Sequence, residues 1–464
     1  MIAEGPEVTA IPEMPSSRSA VRFAIAGLLA DYRDGSRRPS EVAVEVSELI
    51  ERSEEPVWIT RVAPAALLAA ARALDGADPA LPLYGIPFAV KDNIDVAGVP
   101  TSAACPGFAR VAERSAPVVA RLLDAGALFV GKTNMDQFAT GLVGTRTPHG
   151  ACSSVYSQAR ISGGSSSGSA LAVALGQVAF ALGTDTAGSG RVPAAFNGLV
   201  GVKPTRGLLS TRGVLPACAS LDCVSILAAS VGDGAAVLDV IEGFDPLDPW
   251  SRSSPPWTVP QRGTVGVPRA GQAEPDEREA AEAWHLALGR AAEEWTLVPV
   301  DVTPLLDAAP LLYAAWVAER ASDLAAIVES RPEGLDPTVA AIIAGGAERT
   351  AVDVFDAIHR LAELRSAAAP IWDEVDAVLL PTTPMHPTHE QVAAEPIAVN
   401  SRLGRFTNFV NLMDLAALAL PGPLRGDRLP FGVTLLASAF HDRRLLDLGA
   451  QWTGEAPGTG PADR

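Results

Sequence analysis

Ser162-Gly-Gly-Ser165-Ser166-Ser167-Gly168-Ser169 and, further along, Gly183-Thr-Asp185-Thr186-Ala187-Gly188-Ser189-Gly190-Arg191-Val-Pro193 are two Gly/Ser-rich loops joined by one apolar helix–strand unit. A single loop of this kind reads as an ordinary turn. Two of them, with a helix pattern over residues 169–175 and a strand pattern over 178–182 between, are a different matter. A third segment, Pro87-Phe-Ala-Val-Lys91-Asp92-Asn93, ends an apolar strand pattern on a lysine. Together they bring two serines and an amine toward one edge of a sheet. Small residues around each serine let backbone N–H groups approach a ligand closely.

Outward from this centre the chain alternates strand and helix patterns. Strand-like runs at 86–90 and 127–130 flank a helical run at 116–125, which predicts an α/β fold, a sheet covered by helices on both faces. Three helical patterns precede it, at 21–32, 41–52 and 64–74, with apolar residues at three- and four-residue spacing. Residues 1–20 are Pro/Ser/Glu-rich and are expected to form a flexible arm. Residues 245–269 read as a connector. Residues 280–365 are dominated by helical patterns, so an added helical layer is expected at about 270–370. Strands at 377–381 and 431–437 return to the sheet. The body should span 21–452, with a disordered polar tail at 453–464. No internal repeat is visible.

Composition limits the function. Of 464 residues 48% are hydrophobic and 19% charged, enough hydrocarbon to bury a substantial core. The net charge of −18 argues against general affinity for nucleic-acid phosphate or an anionic membrane. No apolar run approaches the ~20 residues of a membrane span, and the first twenty residues carry no secretory pattern. The four cysteines (Cys105, Cys152, Cys218, Cys223) form no C-x-x-C pair, so reduced, buried thiols in a cytoplasmic protein are expected. Of 36 basic residues only Lys91, Lys132 and Lys203 are lysine. Genome bias toward arginine explains most of that. Lysine survives, however, where a compact amine that can lose its proton is needed.

Three motifs are decoys. Gly126-Ala-Leu-Phe-Val-Gly131-Lys132-Thr133 satisfies G-x-x-x-x-G-K-[ST], but its middle residues form a strand rather than a phosphate-cradling loop. Gly164-Ser-Ser166-Ser-Gly168 satisfies G-x-S-x-G, yet residues 160–163 make a poor strand into the turn; with His441 downstream it stays a minor alternative. His386-x-x-His389 lies among prolines without an obvious third ligand, which favours a structural role over zinc. No metal site and no cofactor is predicted.

The pattern G-G-S-S-x-G-S … G-T-D-x-x-G-S-x-R-x-P resembles the amidase signature family, most strongly over residues 84–216. The resemblance implies that family's α/β fold, with a central mixed sheet. Ser165 and Ser189 stand at the separation the family shows between its bridging and nucleophilic serines. The resemblance implies Ser189 as nucleophile, Ser165 in a cis peptide as proton relay, and Lys91 as base. It places the backbone N–H groups of Thr186, Ala187, Gly188 and Ser189 in an oxyanion hole, with Asp185 and Arg191 bracing the loop. The implied chemistry is coherent. A serine hydroxyl needs a neighbouring base, and a lysine serves as one only where burial lowers its pKa.

Ser167, Ala187 and Gly190 depart from the commonest family pattern and resemble the allophanate hydrolase branch. So do residues 131–145, 206–214 and 400–411. That branch implies hydrolysis of allophanate (urea-1-carboxylate) to ammonia and N-carboxycarbamate, with a biotin-dependent urea carboxylase as pathway partner. Tyr313 and Arg320 match the residues that would hold the substrate carboxylate, an arginine fork suiting it bidentately; the alternative is that both simply pack on and solvate a helix. The sequence closes where the amidase part should end, so no C-terminal decarboxylating domain is expected within it. Another amidase of the family, or an amidotransferase subunit working with partner chains, remains open, as does a homodimer.

Overall fold

The computed structural model describes residues 21–255 and 263–455. The expected arm at 1–20, part of the connector and most of the expected tail lie outside the described residues. Eleven strands form one sheet: β1 (Trp58–Arg61), β2 (Pro87–Lys91), β3 (Leu128–Thr133), β4 (Phe180–Thr184), β5 (Val200–Lys203), β6 (Val224–Ala228), β7 (Thr264–Pro268), β8 (Thr296–Val300), β9 (Ala377–Pro381), β10 (Leu415–Pro421) and β11 (Gly432–Ser438). Their spatial order is β1-β3-β2-β4-β6-β5-β10-β11-β9-β7-β8. The triple β3-β2-β4 is parallel, as is β9-β7-β8. Antiparallel pairs link them through the middle, so the sheet is mixed.

Side-chain alternation along the central strands explains why both faces are covered. Ala416, Leu418, Leu379 and Leu435 enter one apolar cluster. Their neighbours Ala417, Val378, Leu380 and Leu436 enter another on the opposite face. A strand buried on both sides reads as a continuous apolar run, and Ala-Val-Leu-Leu-Pro at 377–381 is one. The first cluster takes in helices Val231–Ile241, Arg278–Glu294 and Asp442–Thr453; the second takes in Ala351–Glu374.

Two expectations are corrected in detail. The connector 245–269 contains β7, and the helical layer at 270–370 is interrupted by β8. Both lie at one margin of the sheet, where Gly266 and Pro299 dilute the β-rich signal. The rest of that layer is helical, with a π-helical turn at Leu312–Trp316 before Val317–Glu329. At the C-terminus the last helix runs through Thr453, and the Glu455 carboxylate accepts from the N–H groups of Val231 and Gly232. The chain is therefore fixed a little beyond 452. Among the described residues no helix is long and apolar enough to cross a membrane.

Candidate active site

Lys91 ends β2 and Thr184 ends β4, parallel neighbours whose register pairs Val90 with Leu182. Both side chains therefore emerge at the carboxyl edge of the sheet, where open α/β sheets hold ligands. Helix Ser167–Ala174 runs back along the sheet into β4, which puts the Ser165 loop and the Ser189 loop at that edge together. The helix is buried along its whole length and packs at close quarters. A Cβ on Gly168 would lie 2.5 Å from the Val57 carbonyl oxygen.

Of the three predicted catalytic residues, Lys91 and Ser165 are in direct contact, and Ser189 stands on the adjoining loop. Lys91 Nζ donates to Ser165 Oγ at 2.8 Å and to Thr184 Oγ1 at 2.7 Å. The Gly164–Ser165 peptide is cis. The N–H of Ser166 donates to the Ser189 carbonyl at 3.2 Å, clasping the two loops. Ser189 Oγ itself donates to the Gly141 carbonyl at 3.4 Å, a long contact. Lys91 is fully buried, and desolvation lowers its pKa to about 7 against the opposing pull of Asp136, Asp185 and Asp222. An amine in that range is half neutral at neutral pH and can act as a base.

The Ser189 loop is held from behind. The Asp185 carboxylate accepts from Arg191 Nε at 2.9 Å and Nη2 at 2.8 Å, and from the backbone of Gly188, Gly190 and Arg191. Burial alone would raise this carboxyl; the guanidinium more than offsets it and keeps the group below its ordinary range. The expected bracing role thus has its geometry. One expectation changes: the Gly188 N–H points at Asp185 Oδ1, 2.7 Å away, and is spent on the brace. Among the described residues the N–H groups of Thr186, Ala187 and Ser189 have no such partner, and these are the donors left for an oxyanion.

Tyr313 lies in the π-helical turn Leu312–Trp316 and Arg320 in the helix Val317–Glu329. The Tyr313 hydroxyl accepts from Asn408 Nδ2 at 3.0 Å, and the residue is 37% exposed. Arg320 Nε donates to the Ala217 carbonyl at 3.2 Å. Both lie in the electrostatic surroundings of buried Arg146, whose backbone N–H donates to Asp136. Arg320 also acts on Asp222, the acceptor for the Thr186 hydroxyl.

Several residues of the site lay outside the sequence-based reading. Thr184, next to Asp185 in the quoted motif, holds Lys91. Asp136 collects the N–H groups of Val143, Gly144 and Arg146 on its carboxylate and donates its own N–H to the Ser165 carbonyl. Asn411 reaches the Asp185 carbonyl at 2.7 Å. Only Thr184 had a usable signal, since parallel register puts it beside a strand-ending lysine.

The decoys resolve structurally. Lys132 lies within β3, buried, and pairs with Asp92 Oδ1 at 3.4 Å. Ser166 Oγ donates to the Thr184 carbonyl, while His441 meets Ser438 and Ala439. His386 stacks on Phe196, and burial drives its pKa down to about 3, so the ring is neutral packing. His389 meets Ser153 Oγ. All four cysteines are buried and free.

The sequence matches the family described as Amidase over residues 41–446. The chain belongs to the amidase family. It is 43% identical to the urea amidolyase of Saccharomyces cerevisiae over 91% of its own length and 24% of that protein. It is 40% identical to an allophanate hydrolase of Kluyveromyces lactis of known structure, with a TM-score of 0.87, covering 94% of this chain and 73% of that one. One glutamyl-tRNA(Gln) amidotransferase chain, from Chloroflexus aggregans, is 33% identical over 83% of this chain and 86% of its own length. The amidase thus spans about a quarter of the length of the urea amidolyases it matches.

Proposed function

We propose that this amidase hydrolyses allophanate to ammonia and N-carboxycarbamate. Neutral Lys91 takes the proton of Ser165 as Ser165 takes that of Ser189, and Ser189 Oγ attacks the terminal amide carbon. The N–H groups of Thr186, Ala187 and Ser189 receive the developing oxyanion, where one donor is worth on the order of 10²–10³ in rate. The proton returns through Ser165 to the departing nitrogen, ammonia leaves, and water cleaves the acyl-enzyme by the same relay. Tyr313 and Arg320 hold the substrate carboxylate. No step calls for a cofactor.

The observation that carries the reading is the contact between a fully buried amine and a serine, Lys91 Nζ to Ser165 Oγ, beside the Ser189 loop. The likeness to urea amidolyase and allophanate hydrolase supports the substrate. In this reading a biotin-dependent urea carboxylase supplies allophanate, and four free, buried thiols suit a reducing cytoplasm.

Ammonia release from allophanate, malonamate and acetamide by the purified chain and by Ser189→Ala tests this. Release from allophanate that the variant abolishes is expected; turnover of acetamide alone would sink the substrate. The likeness to an amidotransferase chain favours one second reading, in which glutamine is hydrolysed only when partner chains co-purify.

A further inference from the structure

Asn408 stands at the start of the short helix Phe409–Leu412, yet its side chain makes no capping bond. Its Nδ2 goes to the Tyr313 hydroxyl instead. Its Oδ1 is buried and has no hydrogen-bond partner among the described residues. The residue is 2% exposed. A Cβ on Gly404 would lie 2.3 Å from that oxygen, so the absence of one gives the amide its seat. An acceptor left unpaired in the interior is destabilising. Its presence points to a donor that comes from outside the chain.

The surroundings say which donor. Next to Asn408, Thr407 Oγ1 is also buried and unpaired, and it lies 2.4 Å from where a Gly188 Cβ would be. Asn411 reaches the Asp185 carbonyl. Residues 407–411 therefore meet the Ser189 loop through Thr407 at one end and Asn411 at the other, and Asn408 between them reaches Tyr313. In allophanate, the group between the carboxylate and the reacting carbonyl is a single N–H. We infer that Asn408 Oδ1 accepts this central N–H and makes Asn408 a specificity-determining residue for ureido over methylene substrates. The inference rests on the allophanate hydrolysis proposed above, with the carboxylate at Tyr313 and Arg320.

Malonamate is the matched probe, having CH₂ where allophanate has N–H and the same charge and length. A site built to bond an N–H discriminates strongly against an analogue lacking it. The experiment measures kcat/KM on both substrates for the wild type, Asn408→Leu, Asn408→Asp and Tyr313→Phe. The wild type should favour allophanate by on the order of 100-fold or more. Asn408→Leu should collapse that ratio toward one, chiefly by loss on allophanate. Asn408→Asp keeps an acceptor of the same shape, so it should lower both activities by charge repulsion and preserve the ratio. Tyr313→Phe should lower both alike. Should the leucine variant fail to fold, Asn408→Ala carries the same expectation. Equal loss on both substrates in Asn408→Leu, or no loss, would overturn the inference and leave allophanate hydrolysis standing. Wild type inactive on both would sink that reading and the inference with it.

Discussion

Lys91 and Thr184 are bound side chain to side chain at 2.7 Å, a contact slightly shorter than the one between Lys91 and Ser165. The Thr184 hydroxyl accepts from the amine, and Asn93 Nδ2 approaches the same oxygen at 3.4 Å. An acceptor on the amine favours its protonated form. Thr184→Val keeps the strand shape and removes that acceptor, so the Lys91 pKa should fall further. The acid limb of kcat/KM should move to lower pH while kcat drops about tenfold as the amine loses its orientation. An unmoved limb would show that Thr184 only packs.

The wild-type profile follows from the same amine. Lys91 acts as a base only when neutral, and burial brings its pKa to about 7. Activity should therefore climb as pH rises through about 7 and level off above. Stability has the same direction. Between about 7 and the ordinary lysine value the unfolded chain binds the extra proton, so folding strengthens with pH across that window. Lys91→Met should abolish activity and flatten this part of the stability curve, which chemical denaturation at pH 6.5, 8 and 9.5 would reveal.

Asp185 and Arg191 are both fully buried and share two hydrogen bonds between their side chains. Breaking such a pair from one side leaves an uncompensated charge, at a cost of about 3–5 kcal/mol. Arg191→Met should lower Tm by many degrees and remove activity, because Gly188 and Gly190 lean on the same carboxylate. Exchange of Arg212, whose side chain is 43% exposed where it meets Asp245, should cost about 1 kcal/mol or less. Thermal unfolding of the two variants side by side decides it.

Much of this site could be read along the chain because its parts are local. Ser165 and Ser189 sit in loops rich in small residues, and Lys91 ends an apolar run. The covered sheet was legible for the reason given by residues 377–381: strands buried on two faces are continuously apolar. What escaped depends on contacts distant in sequence. Asp222 meets Thr186 across 36 residues and Asn411 meets the Asp185 carbonyl across 226, and neither has a local pattern. β7 and β8 escaped for the opposite reason: residues at the margin of a sheet need less apolar character. The Gly188 N–H was misassigned because a motif shows which amides are near a serine, not which already have a partner.

Asp222 joins the two halves of the site. Its carboxylate accepts from the Thr186 hydroxyl on the Ser189 loop and from the N–H groups of Ala217 and Cys218, while the Ala217 carbonyl accepts from Arg320. Burial raises its pKa to about 6. Between the ordinary carboxyl range and about 6 the folded protein holds a proton the unfolded chain has lost, so stability falls as pH rises through that window. Asp222→Asn keeps the shape but has one acceptor oxygen for three donors. It should cost about 2 kcal/mol, flatten that part of the pH curve, raise KM through Arg320 and lower kcat through Thr186. Thr186→Val releases only the loop end, so it should lower kcat and leave KM near wild type. If the two variants gave the same split between kcat and KM, Asp222 would be bracing the loop alone and the link to Arg320 would carry no weight.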